Sequence, residues 1–177
     1  VNHVLSALGH APLDPAVVRT LVGEGITSLL GRALGTTDES QLARARALFL
    51  PHYQAHCVDR SALVDGEIDA LDAAPRAALL TNKPRAPTLS IIDHFGIRSR
   101  FAVIIAGDDA VPRKPDPAPI RVALESTGAP ARAALMVGDG PADVRAAKAA
   151  GVRSCAVLGG YAEPKALRAL GPDYVAT

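Results

Sequence analysis

An apolar segment that ends in two carboxylates is the strongest chemical signal in the sequence. The segment Leu135–Val137 leads into Gly138 and Asp139, and Asp143 follows four residues after Asp139. A helix that begins near Pro141 would bring Asp143 toward the same space as Asp139. Carboxylate oxygens are the hard ligands that Mg²⁺ prefers. The simpler alternative is a helix N-cap followed by an unrelated acidic residue in the first turn.

A second apolar segment ends in a hydroxyl and an amide. Leu79 and Leu80 precede Thr81 and Asn82, and a helix is predicted to begin soon afterwards. A phosphoryl group needs hydrogen-bond donors held rigidly where its oxygens lie. The Thr81 hydroxyl and the backbone N–H of Asn82, near a helix N-terminus, could supply them. Taken alone, the segment is also explained as a strand that ends in a polar turn.

A lysine on a stiff loop is the third chemical feature. Lys114 lies between Pro112 and Pro115, whose rings restrict the backbone. A fixed ammonium can neutralise a phosphate or keep a nearby carboxylate ionised. The alternative is an ordinary basic loop before a helix that Asp116 caps.

The elements around these residues predict a Rossmann-like parallel α/β sheet flanked by helices. The predicted strands are Ala77–Leu80, Phe101–Ala106, Ala133–Val137, Val152–Leu158 and Asp173–Ala176. The predicted helices between them lie near 65–74, 86–95, 116–127, 141–150 and 163–170. Apolar strands joined by amphipathic helices are typical of parallel sheets. Ligands of such sheets bind beyond the carboxyl ends of the strands, where Thr81, Lys114 and Asp139 are expected to converge.

Residues 1–60 follow a different pattern and predict a small all-helical unit. Asp14 before Pro15 is typical of a helix start. In a longer helix from about 39 to 57, apolar residues recur at helical spacing. The sequence therefore predicts two domains, a helical one at 1–60 and an α/β one at 61–177.

The order of the chemical segments resembles the second, third and fourth motifs of the haloacid dehalogenase superfamily. Within it, the chain is most similar to phosphoglycolate phosphatases. The similarity covers nearly the whole chain and is carried by residues 18–25, 80–84, 106–109 with 113–117, and 159–161 with 169–175. The resemblance implies that the helical domain is a cap over the carboxyl end of the sheet.

The resemblance also implies a Mg²⁺-dependent phosphomonoester hydrolase that prefers 2-phosphoglycolate and releases glycolate and phosphate. In this family an aspartate of an Asp-x-Asp motif attacks phosphorus, and water hydrolyses the aspartyl-phosphate. The second aspartate of the motif is the general acid and base. Carried over to this sequence, Thr81 and Asn82 bind the phosphoryl group, Lys114 neutralises it, and Asp139 ligates Mg²⁺.

Three further residues receive roles from the same resemblance. Asp143 would support the metal or orient Lys114. Arg19 and Gly23 would lie in the cap, near the carboxylate end of the substrate.

The sequence departs from the family pattern in two places. The Asp-x-Asp strand, which should be the central strand of the sheet, is expected before Val1 and does not occur within the 177 residues. The stretch 65–79 is shorter than in the family. We expect both segments to be missing from this sequence rather than lost from the protein. A polypeptide of these residues alone is expected not to turn over phosphomonoesters.

Composition excludes several other classes of function. The net charge is +1 and aromatic residues make up 3% of the chain, which does not fit a nucleic-acid binder. No apolar run approaches the roughly 20 residues of a membrane helix. The two cysteines are isolated in sequence and suit a reducing compartment, so a cytoplasmic protein is expected. The expected partner is a small phosphorylated metabolite, and the expected assembly is a monomer or a homodimer.

Two rival interpretations remain open from the sequence. One is a related phosphatase that acts on a sugar phosphate, a nucleotide or pyrophosphate. The other is a non-catalytic homologue, for which the missing nucleophile is the supporting feature. Against the second, Thr81, Lys114, Asp139 and Asp143 are all present.

Overall fold

The structure, a computed structural model, describes residues 1–177. The helices are α1 (Asn2–Ala7), α2 (Pro15–Thr20), α3 (Ile26–Leu34), α4 (Glu39–His56), α5 (Glu67–Ala73), α6 (Arg85–His94), α7 (Ala118–Thr127), α8 (Pro141–Ala150) and α9 (Pro164–Ala169). The strands are β1 (Ala77–Leu80), β2 (Phe101–Ile105), β3 (Leu135–Gly138), β4 (Arg153–Val157) and β5 (Tyr174–Ala176). The predicted α/β class, with parallel strands flanked by helices, is confirmed.

Three of the first four helices, α1, α3 and α4, pack around a hydrophobic cluster of their own. Its buried members are Val4, Leu30, Leu42, Ala45 and Phe49. They come from α1, α3 and α4, so these three helices hold one another by burying one apolar face each. The unit contains no strand, as the sequence predicts for residues 1–60.

Polar side chains fix where two of these helices begin. The Asp14 carboxylate accepts a hydrogen bond of 2.7 Å from the backbone N–H of Ala16 at the start of α2. The Asp38 carboxylate accepts one of 2.8 Å from Gln41 at the start of α4. Each bond satisfies a backbone donor that the first helical turn leaves without a partner.

The five strands form two parallel sheets rather than one. Strand β1 pairs with β2, whereas β3, β4 and β5 pair in that order. Strands β1 and β3 are therefore each paired on one side only. They are nevertheless neighbours, because Leu80 of β1 and Met136 of β3 pack against the same buried cluster. The predicted parallel arrangement is therefore confirmed, with its strands divided between two sheets.

Small residues on α8 allow it to lie close against its neighbours. Ala146 and Ala147 are fully buried against Ile120 of α7 and Val152 before β4. On another part of the helix, Val144 packs against Leu167 of α9. This packing fixes the start of α8, which carries Asp143, relative to the end of β3.

None of the helices could cross a membrane, because even the longest, α4, is not apolar enough.

Residues 57–66 connect the helical unit to α5 without helix or strand. The division into domains at residue 60 stays a prediction.

Candidate active site

Polar residues follow the carboxyl ends of β1 and β3 and meet there. Thr81 comes directly after β1, and Asp139 comes directly after β3. Lys114 lies on the loop between β2 and α7 and reaches the same place. Contacts join Lys114 to the end of β1 and to the start of α8; the convergence of all three side chains stays a prediction.

Lys114 forms a largely buried ion pair with Asp143. Its ammonium nitrogen lies 2.7 Å from Asp143 Oδ1, and the two side chains are only 9% and 11% exposed. The same nitrogen donates a hydrogen bond to the backbone carbonyl of Leu80, the last residue of β1. Because the attraction between two charges strengthens as water is excluded, the pair holds the ammonium firmly between β1 and α8.

Asp143 is fully committed to these structural contacts. Its second oxygen, Oδ2, accepts a hydrogen bond of 3.0 Å from the backbone N–H of Gly140, at the start of α8. The carboxylate also lies so close to Gly138 that a Cβ there would overlap it. Of the two roles that the resemblance allows, the geometry favours the orientation of Lys114.

Asp139 presents one carboxylate oxygen without a protein partner. Its Oδ2 accepts a hydrogen bond of 3.2 Å from the backbone N–H of Tyr161, while Oδ1 accepts none. A Cβ at Gly160 would overlap the same carboxylate. The loop after β4 therefore packs directly against Asp139 and limits where its side chain can point.

Asp139 fits a Mg²⁺ site only as one ligand among several. No group of three or more His, Cys, Asp or Glu side chains in residues 1–177 is arranged to hold a metal. Mg²⁺ commonly takes one or two carboxylates and completes its octahedron with water and substrate oxygens. The free Oδ1 of Asp139 suits that kind of site.

The turn after β1 presents donors that could bind an anion. The Thr81 hydroxyl accepts the backbone N–H of Lys83 at 3.1 Å, which leaves its own proton free to donate. The backbone N–H of Asn82 has no acceptor in the protein. Both are the donors that the sequence predicts for a phosphoryl group, and this turn lies beside Lys114, whose carbonyl accepts a bond of 2.8 Å from the Asn82 amide.

The helical unit reaches over this edge of the two sheets. The Asn82 amide also donates to the carbonyl of Gly23 at 3.1 Å. Arg19 of α2 donates to the carbonyl of Gly160 at 2.7 Å, and its guanidinium lies 5.3 Å from the ring centre of Tyr161. The structure thus places Arg19 and Gly23 at the site, but the Arg19 guanidinium is held by backbone carbonyls.

Comparison with known proteins gives the family. The profile of the haloacid dehalogenase-like hydrolases matches residues 1–157. The chain belongs to this family. It is 38% identical over 179 residues to the phosphoglycolate phosphatase of Rhodospirillum rubrum, with 94% of this chain and 74% of that protein covered. It is 37% identical to the phosphoglycolate phosphatase of Yersinia pseudotuberculosis, with 99% and 79% covered.

Solved structures of haloacid dehalogenase-like proteins share the fold. A predicted phosphoglycolate phosphatase from Haemophilus somnus superposes with a TM-score of 0.89 at 25% identity, over 99% of this chain and 83% of that one. CbbY from Rhodobacter sphaeroides, solved in complex with phosphate, gives a TM-score of 0.79 at 26% identity, over 98% and 83%. Both superpositions extend over the helical unit as well as the sheets.

Sequence reasoning missed several residues that shape this haloacid dehalogenase-like site. Tyr161 and Gly160 contact Asp139 and Arg19, but in the sequence they mark only a segment that resembles the family. Lys83 lies one residue after Asn82 and likewise carries no predicted role of its own. The contacts of these residues join parts of the chain that are far apart in sequence, so no local pattern indicates them.

Proposed function

We propose that the protein is a Mg²⁺-dependent phosphatase of small phosphomonoesters whose preferred substrate is 2-phosphoglycolate. The observation that carries the proposal is the meeting of three features at one edge of the sheets. These are the donors of the Thr81–Asn82 turn, the ammonium of Lys114, and the free oxygen of Asp139. Together they suit a tetrahedral dianion that carries a metal on one side.

Lys114 would neutralise the transferred phosphoryl group. Its pairing with Asp143 keeps the ammonium in place before substrate arrives, so little reorganisation is needed when charge develops. Thr81 and the N–H of Asn82 would bind two phosphoryl oxygens. Asp139 would hold Mg²⁺, which when bound offsets the charge of the phosphoryl group and its attacking oxygen.

The nucleophile is proposed to come from a strand that lies between β1 and β3 in the full-length protein. The family resemblance implies an aspartate on a central strand. The open edges of β1 and β3 support this, because parallel strands with an unpaired edge leave backbone donors and acceptors without partners. The position of Lys114 between the two edges would put its ammonium beside that aspartate.

The substrate proposal rests on the relatives. Two proteins named phosphoglycolate phosphatase are 37% and 38% identical to this chain over nearly its whole length. The substrate of such enzymes has a phosphoryl group at one end and a carboxylate at the other. Beyond Lys114, the cation of Lys83 lies where the helical unit meets the site, 5.9 Å from the ring centre of Tyr53.

The test is phosphate release from 2-phosphoglycolate by the full-length protein. We expect release that requires Mg²⁺ and stops when a chelator removes it. Asp139→Asn should lower kcat/KM about 100-fold or more, a typical loss for removing one electrostatic contact to the transition state. Glu125→Gln, which changes an exposed carboxylate on α7, serves as the control. If the protein hydrolyses other phosphomonoesters but leaves 2-phosphoglycolate intact, the proposed substrate is wrong.

A further inference from the structure

Lys83 differs from the other cations around the site because its ammonium has no polar partner. Lys114 is paired with Asp143, and Arg19 donates to Gly160. Arg113 donates to the carbonyl of Gly107. The backbone of Lys83 is bonded to Thr81 and Gly107, but its side chain makes neither a hydrogen bond nor an ion pair.

The Lys83 side chain lies where the helical unit meets the site. Its ammonium lies 5.9 Å from the ring centre of Tyr53 on α4. The pKa of Lys83 lies below its ordinary value because burial penalises the charged form. Tyr161 and Cys57, which lies just after α4, oppose this effect but do not cancel it. Burial also raises the pKa of Tyr53 to about 12. Lys83 and Tyr53 are both half-buried in the structure.

A cation that is withdrawn from water without a carboxylate partner is unfavourable by itself. The face of an aromatic ring offsets part of this free energy, roughly 0.5–2 kcal/mol. An anionic group of a bound molecule would stabilise the ammonium more, because hydrogen bonds between charged partners are stronger than those between neutral ones. The three free N–H donors of Lys83 are available for such a group.

We infer that Lys83 binds the second anionic group of the substrate, the carboxylate, and so selects phosphomonoesters that carry one. The inference rests on the proposed function and names the residue that sets its substrate class. Lys83 follows the Thr81–Asn82 turn directly, and in 2-phosphoglycolate only one carbon lies between the ester oxygen and the carboxylate. The Lys83 side chain and the phosphoryl donors therefore start from adjacent backbone positions, as a ligand this short requires.

This differs from the role that the family resemblance gives to Arg19. The Arg19 guanidinium is 2.7 Å from the Gly160 carbonyl and lies over Tyr161. Both contacts join the helical unit to the loop that packs on Asp139. Arg19 therefore holds the unit over the site, and the carboxylate is left to Lys83.

The experiment compares two substrates with the full-length protein. One is 2-phosphoglycolate, and the other is 2-hydroxyethyl phosphate, which has an uncharged CH₂OH in place of the carboxylate. Lys83→Met keeps the length of the side chain and removes its charge. We expect the ratio of kcat/KM for the two substrates to fall about 10- to 100-fold, the range for losing one hydrogen bond to a charged group. Most of the loss should appear in KM for 2-phosphoglycolate.

Two further variants separate charge from packing. Lys83→Arg keeps the charge and should retain most of the preference. Lys165→Met, at an exposed position on α9, removes a lysine charge away from the site and should leave both substrates unaffected. An equal loss for both substrates in Lys83→Met would show a structural role and overturn the inference.

The wild-type protein separates the inference from the proposed function. A wild type that prefers 2-phosphoglycolate, with the preference unchanged in Lys83→Met, contradicts the Lys83 inference alone. A wild type with equal kcat/KM for 2-hydroxyethyl phosphate and 2-phosphoglycolate contradicts both the proposed substrate and the role of Lys83. No release of phosphate from either compound contradicts the proposed function, and the inference with it.

Discussion

At the scale of single residues, the site depends on carboxylates whose oxygens are divided between different tasks. Asp143 uses one oxygen for Lys114 and the other for the start of α8. Asp139 uses one oxygen for the loop at Tyr161 and keeps the other free. Two aspartates four residues apart are therefore engaged differently, since Asp143 uses both oxygens in structural contacts and Asp139 keeps one free.

The first prediction concerns the pair of Asp143 and Lys114. Removing one partner of a buried ion pair typically costs about 3–5 kcal/mol, because the other charge stays buried. Asp143→Asn should therefore lower both the free energy of unfolding and phosphate release. The double variant Asp143→Asn with Lys114→Met should recover part of the stability and remain inactive. Urea unfolding and a phosphate assay measure the two effects.

The control for this pair is Asp72→Asn, which breaks an exposed contact with Arg100 of 3.0 Å. It should change neither property measurably. A double variant less stable than Asp143→Asn would contradict the idea that an uncompensated lysine charge is the cause.

The second prediction concerns Gly160. An added Cβ would overlap the Asp139 carboxylate, and the backbone of Gly160 is not in the left-handed region, so alanine acts through this contact alone. Gly160→Ala should raise the Mg²⁺ concentration for half-maximal activity about 10- to 100-fold, as changes next to metal ligands do. Gly140→Ala is the comparison, because a Cβ there would lie 3.3 Å from a side-chain oxygen of Asp143. An unchanged Mg²⁺ requirement in Gly160→Ala would count against Asp139 as the metal ligand.

At the scale of elements, a motif residue proved to hold elements together. Asp109 belongs to a segment that resembles the third family motif, yet its carboxylate pairs with Arg85 at the start of α6 and accepts the N–H of Ala106 at 2.8 Å. Arg85 also donates to the carbonyl of Ile104 at 2.9 Å. These bonds fix the start of α6 against the end of β2.

The third prediction is the pH dependence of this contact. The hydrogen bond from Arg85 holds the pKa of Asp109 below its usual value, with a smaller contribution from Ala106. A carboxyl with a lowered pKa stabilises the fold above its unfolded pKa of about 3.9, and this stabilisation is lost as pH falls through the folded pKa. Asp109→Asn should therefore have a lower urea midpoint at pH 7. The difference from wild type should shrink below about pH 4.

Asp93→Asn is the matched control for Asp109→Asn. Asp93 contacts Arg98 at 3.1 Å, and both side chains are about half exposed, so its removal should have little effect at any pH. A difference between Asp109→Asn and wild type that stays constant from pH 7 to acid would argue against the linkage.

The elements themselves could be predicted from the sequence, and their contacts could not. Short runs of apolar residues bounded by polar ones predicted every strand to within two residues at each end. The order of the strands within each sheet has no local signal, since pairing depends on residues far apart in sequence. Asp109 and Arg85 likewise meet only through the fold, as do Gly160 and Asp139.

At the scale of the whole molecule, only a few hydrogen bonds of side chains join the helical unit to the α/β part. Gln54 of α4 donates to Ser90 of α6 at 2.8 Å, and Arg19 and Gly23 contact the loops around Asp139 and Asn82. The helical unit has its own buried cluster. A unit with a separate core and few polar contacts can move as a body, as domains joined by small interfaces do.

The last prediction uses the connection between the two units. Residues 57–66 have no helix or strand, and Arg60 within them is exposed and makes no side-chain hydrogen bond. Trypsin should therefore cut the full-length protein first after Arg60. Mg²⁺ with phosphate should slow this cut if ligand binding holds the helical unit over the site. Mass spectrometry of the first products identifies the cut, and Arg60→Gln should remove it. A first cut inside α4, or in the α/β part at Arg76, would contradict a domain boundary near residue 60.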